Sequence, residues 1–207
     1  MEWPFQSESL RRERLELASG RRVAVPVVAL TFLEWRGRPL TDSYGGKPVV
    51  QFKGKPLFAE LAILGVLRSV GWGGVWVDGF RGAFRRGLPP SSCRLPAQVQ
   101  RLYSRIVNRN GGKKSGCWDV LAWKGNQLLF IESKRKGRDS IRRSQRRWLE
   151  AAMKAGVPRR SFVIAEWTLC AVANARSFAS PSFPLGWRLG IGRGSLRTTK
   201  LEAKDRS

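Results

Sequence analysis

The chain has 207 residues and a formal net charge of +24, with 39 Lys and Arg against 15 Asp and Glu. Such an excess of positive charge favours a polyanionic partner, because the cationic side chains concentrate it and release its counterions. There is no His, which excludes histidine-ligated zinc and a histidine general base, and the three Cys have no paired spacing. We therefore expect a reducing compartment, the cytoplasm, with association to the nucleoid in a bacterium. Long apolar spans and lipidation motifs are absent from the sequence, so a membrane partner is not expected.

The first 54 residues are predicted to form an extension on the N-terminal side of the main domain. Ser9–Ala18 carries Leu side chains among charged ones, and we expect a short helix there. The apolar runs Val23–Leu33 and Lys47–Phe52 predict two strands, separated by a turn-rich loop at 36–46. We expect a hairpin that packs on the domain or serves as an arm for pairing subunits. Charges precede the first apolar run, so a signal peptide is not expected.

The next predicted element is a helix at Leu57–Val70, which Pro56 opens. Glu60 lies in its first turn, where the helix dipole favours an anion, so an ordinary exposed carboxylate is one interpretation of this residue. The run Val75–Val77 predicts the first strand of the core. Asp78 follows it and is interpreted as a turn residue rather than as a supporting carboxylate of a site.

Residues 79–118 contain no Asp or Glu but many Arg and Lys. Within them, Pro96–Asn108 predicts a helix, and Asn110-Gly111-Gly112 predicts a mobile link to the following strand. A solvated basic face is one interpretation of this stretch; contact with a nucleic-acid backbone is the preferred one in so cationic a chain. No segment has the pattern of a base-reading helix, so no sequence specificity is predicted. The predicted backbone contacts are Arg101, Arg105, Arg109, Lys113 and Lys114 and, further along the chain, Arg135, Lys136 and Arg138.

A candidate site lies between Gly116 and Trp148. Asp119 stands at the head of one apolar run, and Glu132 and Lys134 stand at the tail of the next. A turn signal at 125–126 joins the two runs as a hairpin. Because side chains alternate along a strand, Glu132 and Lys134 share a face, and the hairpin brings Asp119 to the same end of the sheet.

This arrangement of charged groups suits metal-assisted chemistry. Two carboxylates on rigid strands offer the hard oxygen ligands that Mg²⁺ and Mn²⁺ favour. Such an ion polarises a phosphodiester and lowers the pKa of a bound water, while a neighbouring lysine orients that water and offsets charge in the transition state. The alternative is an ordinary hairpin whose charged end forms a surface ion pair.

The segment after this hairpin, Asp139–Ala155, predicts a helix. Gln145 lies on its apolar stripe, and a buried amide needs a partner. That partner is either backbone at the edge of the core or the acidic site at the end of the preceding strand. Ser161–Trp167 predicts a final core strand. Residues 169–207 are predicted to form a basic, partly disordered extension, in which Trp187–Ile191 predicts one more strand.

The order Gly-x-x-Asp, strand, Glu-x-Lys, short loop, Gln-x-x-Trp-Leu, Gly and strand over residues 116–167 resembles the PD-(D/E)-x-K nuclease superfamily, and within it the VRR-NUC group. Trp118 stands where that group usually has Pro, at a position that shapes the turn. The resemblance implies an α/β, restriction-endonuclease-like core at 55–168, made of a helix, a mixed β-sheet, a flanking helix and a final strand. The basic stretch 79–118 is then an insertion, and the N-terminal β-hairpin is an extension of this core.

The resemblance also implies roles for individual residues. Asp119 and Glu132 ligate Mg²⁺ or Mn²⁺, together with the backbone carbonyl of Ser133. Lys134 positions or activates the water, and Gln145 supports the site. In this superfamily a Glu on the helix before the first core strand often faces the metal, and this is the second interpretation of Glu60.

From these features we expect a metal-dependent DNA endonuclease that hydrolyses phosphodiester bonds. The resemblance suggests structured DNA, such as four-way junctions or flaps, in repair, recombination or phage DNA processing, with a homodimer as one arrangement. The alternatives are a restriction-type endonuclease and a non-catalytic, basic nucleic-acid-binding protein. Mg²⁺-dependent nicking separates a nuclease from a binding protein, because both bind DNA in EDTA.

Overall fold

The computed structural model describes residues 11–89 and 91–170 of the chain. In this part of the chain the α-helices are α1 (Ala59–Ser69), α2 (Ala97–Arg109) and α3 (Arg143–Lys154), and a short 3-10 helix spans Arg159–Ser161. The strands are β1 (Arg11–Glu16), β2 (Arg22–Glu34), β3 (Val49–Phe52), β4 (Lys55–Phe58), β5 (Gly73–Asp78), β6 (Ala83–Arg85), β7 (Val120–Lys124), β8 (Gln127–Arg135) and β9 (Phe162–Cys170).

All of these strands belong to one mixed sheet, in the order β4-β3-β2-β9-β8-β7-β5-β6, with β1 paired to β2. β2, β9 and β8 are parallel neighbours, and the other pairs are antiparallel. α3 connects β8 to β9, since parallel neighbours need a crossover. α1 packs on one face of the sheet, and α2 and α3 pack on the other. This confirms the predicted α/β, restriction-endonuclease-like fold with an N-terminal hairpin.

The helix predicted at Ser9–Ala18 is wrong over the part of that segment that the structure describes. Residues Arg11–Glu16 form β1, paired antiparallel with the first half of β2. Leu15 and Leu17 are buried and Glu16 between them is exposed, which is the two-residue period of a strand. The few leucines fitted either period, and pairing with the long apolar strand β2 selects the extended form.

The other predicted elements are present with shifted bounds. β3 begins at Val49 rather than Lys47, and α1 begins at Ala59 rather than Leu57. The helix starts later because Lys55–Phe58 pairs with β3 as a strand that was not predicted. The predicted strand Trp187–Ile191 lies outside the described residues. None of the described helices is long and apolar enough to cross a membrane.

The topology brings several chain segments to one edge of the sheet, called the site edge below. Because β7 is antiparallel to both β5 and β8, the ends of β5 and β8 meet the start of β7 there. β2 ends at the same edge, since it runs parallel to β9 and β8, so the loop 35–48 leaves from it. β4 returns to this edge after the β3–β4 turn, and α1 therefore starts there.

Candidate active site

Asp119 occupies the site edge at the bend before β7, one residue ahead of the pair formed by Val120 and Ile131. Its Oδ2 accepts a hydrogen bond from the backbone N of Ser133 at 3.0 Å. Its own carbonyl oxygen accepts one from the backbone N of Val77 at 2.7 Å. The residue is therefore held between β8 on one side and β5 on the other, so its carboxylate has a defined position.

Glu132 and Lys134 lie on the same face of β8 and are both buried, with 1% and 8% of their surfaces exposed. The Oε1 of Glu132 accepts hydrogen bonds from Lys134 Nζ, at 2.9 Å, and from Gln145 Nε2. The Oε2 is equally buried and has no hydrogen-bond donor among the described residues. Burial, and next the charge of Asp119, raise the pKa of Glu132 well above its ordinary value, and Lys134 offsets only part of this rise.

Gln145 sits at the third position of α3, facing the end of β8. Its amide nitrogen donates to Glu132, and its Oε1 accepts from the backbone N of Arg142 at 2.8 Å, which also caps the helix start. Trp118, fully buried where the group usually has Pro, donates from Nε1 to the carbonyl of Gln145 at 3.3 Å. The side-chain amide therefore has both of the partners considered, the backbone at the start of α3 and the acidic site.

Glu60 lies on the opposite face of the sheet, in the first turn of α1, and is 8% exposed rather than solvated. Its Oε1 is ion-paired with Lys47 Nζ, and the ammonium also lies 5.3 Å from the centre of the Trp76 ring. Burial, and next the charge of Asp119, raise the pKa of Glu60, while Lys47 opposes the rise. The charge of Asp119 thus acts on the carboxylates of two ion pairs, called half-sites below: Glu132 with Lys134 on one face of the sheet, and Glu60 with Lys47 on the other.

Lys47 was not predicted as a site residue. Sequence analysis placed it at the start of a strand, but it lies at the end of an irregular loop, and its contact with Glu60, 13 residues further on, is made across the β3–β4 hairpin. The only local signal is the pair of glycines before it, Gly45 and Gly46, which mark a turn but not its direction. Asp78, by contrast, has the predicted turn role: it accepts hydrogen bonds from Arg81 N at 3.1 Å and Arg85 Nε at 2.8 Å.

A hard divalent cation fits the donor set of the site. Glu132 carries a buried oxygen with no donor, and Asp119 is close enough to raise its pKa. Among the described residues no group of three or more His, Cys, Asp or Glu side chains is placed to hold a metal ion. The candidate ligands are thus the two carboxylates, while Glu60 is ion-paired with Lys47.

The predicted DNA contacts are mostly exposed cations on α2, on the link that follows it and on the loop after β8. Two hollows adjoin α2, one of about 260 Å³ lined by Arg105, Arg109 and Lys154, and one of about 400 Å³ lined by Asp78 and Lys114 among others. The exposed residues are Arg101, Arg105, Arg109, Lys113, Lys114, Lys136 and Arg138, and Arg135 is half-buried.

A mixed sheet with an Asp before one strand, Glu-x-Lys at the end of the next and a Gln on the following helix defines the PD-(D/E)xK class of nucleases. Within that class, the model of the VRR-NUC domain matches residues 91–161 of the chain. The matched region includes Asp119, Glu132, Lys134 and Gln145, whereas Glu60 precedes it. No curated protein matches the chain. The VRR-NUC domain implies nuclease activity with DNA as the substrate.

Proposed function

We propose that the protein is a metal-dependent DNA endonuclease that hydrolyses phosphodiester bonds at the site edge. The observation that carries the proposal is the Oε2 of Glu132, a buried carboxylate oxygen without a donor beside a second carboxylate, Asp119. Two such carboxylates repel each other and are costly to bury, unless a cation shares them. Mg²⁺ or Mn²⁺ is the cation whose preference for oxygen ligands suits them.

Asp119 and Glu132 would hold the ion, together with the backbone carbonyl of Ser133. Because a strand residue directs its N–H and C=O to the same side, the Ser133 N–H bond to Asp119 supports a carbonyl that faces the same way. When bound, the ion supplies a Lewis acid for the phosphate and a water of lowered pKa. Both ligands are fixed by hydrogen bonds before any substrate arrives, which favours catalysis by preorganisation.

Lys134 is the candidate catalytic cation. Its stem is buried and its Nζ is fixed to Glu132 at 2.9 Å, so the ammonium lies beside the carboxylates without free rotation. An ammonium in this position orients an attacking water and offsets negative charge on the phosphate. Gln145 positions Glu132 through its amide, and Glu60 would join the site from the other half.

Structured DNA, such as junctions or flaps, is the proposed substrate class. The exposed cations on α2 and the adjoining loops support contact with phosphates. No described element has the pattern of a helix that reads bases, which argues against a restriction-type enzyme. We propose the cytoplasm as the place where the protein meets DNA.

A panel of labelled DNAs tests the proposal: duplex, single strand, flap and four-way junction, each incubated with Mg²⁺, Mn²⁺ or EDTA. We expect cleavage with either ion and none in EDTA, with flap or junction cut faster than duplex. Binding without cleavage under every condition would favour the non-catalytic alternative. Cleavage of plain duplex at one sequence would favour the restriction-type alternative.

A further inference from the structure

Lys47 is a second lysine at the site, and it lies outside the region that the VRR-NUC domain matches. Its Nζ is ion-paired with the Oε1 of Glu60, whose side chain is only 10% exposed. The negative charges of Asp119 and Asp78 also act on it. Burial opposes the charge on Lys47, but these carboxylates outweigh burial and its pKa is raised. The residue is therefore a cation held among the acidic groups of the site edge.

The turn that precedes Lys47 has a defined backbone conformation. Tyr44, Gly45 and Gly46 have φ angles of 49°, 77° and 81°, three left-handed residues in a row. The non-glycine at the first of these positions is unusual. Hydrogen bonds close the turn: Ser43 accepts from Gly46 N at 3.2 Å through its Oγ, and from Lys47 N at 2.9 Å through its carbonyl. The two glycines adopt this conformation without strain, and the closed turn fixes the direction from which the chain enters Lys47.

The turn is also clamped to the rest of the site edge. The Tyr44 ring packs against Trp76, with ring centres 5.1 Å apart, and the guanidinium of Arg81 lies 3.9 Å from the Tyr44 ring centre. Arg81 in turn pairs with Asp42 at 2.9 Å. These contacts tie the first part of the turn to β5 and to the loop after it, so the approach of Lys47 to Glu60 is fixed by packing.

The two lysine–glutamate pairs of the site differ in exposure. The Lys134 side chain is 11% exposed and its partner Glu132 is 1% exposed, so that pair is sealed. The Lys47 side chain is 34% exposed, so its flexible stem has a route to solvent while Glu60 remains in place. Only the second pair can therefore exchange its cation without unpacking the core.

We propose that Lys47 is an internal cation that holds Glu60 while no divalent metal is bound and competes with the metal for that carboxylate. This inference rests on the proposed function, because it requires a metal at the site edge. It explains why Glu60 stands apart from Asp119 and Glu132: the ammonium holds it in the other half-site. It also adds to the metal site a residue of the N-terminal extension.

Mn²⁺ binding without DNA tests the inference, by calorimetry on the full chain and on Lys47→Met. Methionine keeps an unbranched apolar side chain and removes the charge. We expect the Kd for Mn²⁺ to fall roughly three- to tenfold, because a repelling and competing cation is gone. Lys55→Met, an exposed lysine on β4, is the matched control and should leave the Kd unchanged.

Thermal melting separates this role from a purely structural one. Without metal, Lys47→Met should melt below the parent, because Glu60 is left buried and unpaired. With saturating Mn²⁺ that deficit should shrink, because the ion takes the place of the ammonium; a structural role predicts an equal deficit in both conditions. Lys47→Gln gives the same readouts if the methionine variant does not fold.

An unchanged or higher Kd in both Lys47 variants overturns the inference. If the parent binds Mn²⁺ and Asp119→Ala does not, that result leaves the proposed function standing. If the parent itself binds no Mn²⁺, both fail together, because there is then no metal with which Lys47 competes.

Discussion

At Glu132 one carboxylate oxygen receives two hydrogen bonds and the other, just as buried, receives none from the described residues. Burial therefore favours the protonated form of Glu132 more than in an ordinary carboxyl group, and a bound cation would favour the ionised form. Asp119 favours the first form by its charge and Lys134 favours the second. The protonation of Glu132 therefore responds directly to the charges and to any cation at the site.

The pH dependence of stability is the first prediction. The pKa of Glu132 is raised in the folded protein. Its contribution to stability is therefore complete below the ordinary pKa of a Glu side chain, about 4, and is lost as pH rises through the pKa in the folded state. In EDTA the parent should thus lose stability as pH rises. Glu132→Gln mimics the protonated form and should be more stable at pH 8, by about 1–2 kcal/mol.

Urea unfolding at pH 5 and pH 8 measures this effect. The fall in the free energy of unfolding between pH 5 and pH 8 should be smaller in Glu132→Gln than in the parent. It should not vanish, because burial raises the pKa of Glu60 as well. Glu34→Gln, at an exposed position, is the control and should unfold like the parent. A Glu132→Gln protein that is less stable than the parent at pH 8 would contradict the assignment.

Lys134 gives a second prediction at this scale. Lys134→Ala should keep the fold and its Mn²⁺ binding but cut DNA about 100-fold more slowly or worse, because the fixed cation beside the phosphate is lost. Lys134→Arg should not restore the rate, since a planar guanidinium does not fit where a compact ammonium is buried. Single-turnover cleavage with saturating metal measures both variants. A rate like that of the parent in Lys134→Ala would show that Lys134 forms an ion pair without a catalytic role.

The residues around the Glu-x-Lys strand were predictable because their geometry is local. Strand alternation puts Glu132 and Lys134 on one face, and the hairpin register puts Asp119 beside them. The buried state of Glu60 and the approach of Lys47 were not predictable, because both depend on how a 14-residue irregular loop, 35–48, folds over the site edge.

Among the elements, the link from α2 to β7 sets the position of Asp119. Gly116 has a φ of 86°, and a Cβ there would overlap the carbonyl oxygen of Ser144 near the start of α3. The link thus touches the helix that carries Gln145, three residues before Asp119. A glycine is required here both for its left-handed backbone and for this close approach.

Gly116→Ala should therefore destabilise the protein by roughly 2–4 kcal/mol and lower the cleavage rate of the folded fraction, because Asp119 shifts with the link. Gly112→Ala, at a φ of 76° with open space around it, should show only the backbone cost, about 1 kcal/mol. Chemical unfolding of both variants compares them. Equal losses would show that the Ser144 contact is not tight.

Prediction of the elements succeeded where long apolar patterns had one interpretation. β2, α2, α3 and β9 follow from such runs, and β8 from its hairpin turn. β1 and β4 were missed because each is short, and pairing with the neighbouring strand across a short turn decides its conformation.

For the whole molecule, the formal net charge is +24, and exposed cations lie on α2 and on the segments that follow α2 and β8. Each phosphate contact releases counterions, so DNA affinity should fall steeply with salt. Arg101→Ala with Arg105→Ala should weaken binding of all sequences alike and reduce the log–log salt slope by up to about 2. Fluorescence anisotropy between 50 mM and 200 mM salt covers the range in which that slope is steep.

A matched double variant exists at the opposite end of the sheet. Arg159 and Arg160 are exposed and precede β9, at the start of the strand whose end reaches the site edge. Replacing both by Ala removes the same charge, and the salt slope should stay close to that of the parent. If both double variants lose DNA affinity equally, the total charge of the protein determines affinity, and α2 is not a specific DNA-binding surface.

The central claim is that Asp119 and Glu132 form a metal-dependent cleavage site, and Asp119→Ala tests it most directly. Three assays on this variant are needed: thermal melting, DNA affinity in EDTA, and nicking with Mg²⁺. We predict a folded protein that binds DNA as well as the parent or slightly better, because one repulsive charge is gone, and that does not nick. A folded Asp119→Ala that still nicks DNA at the parent rate would contradict the account.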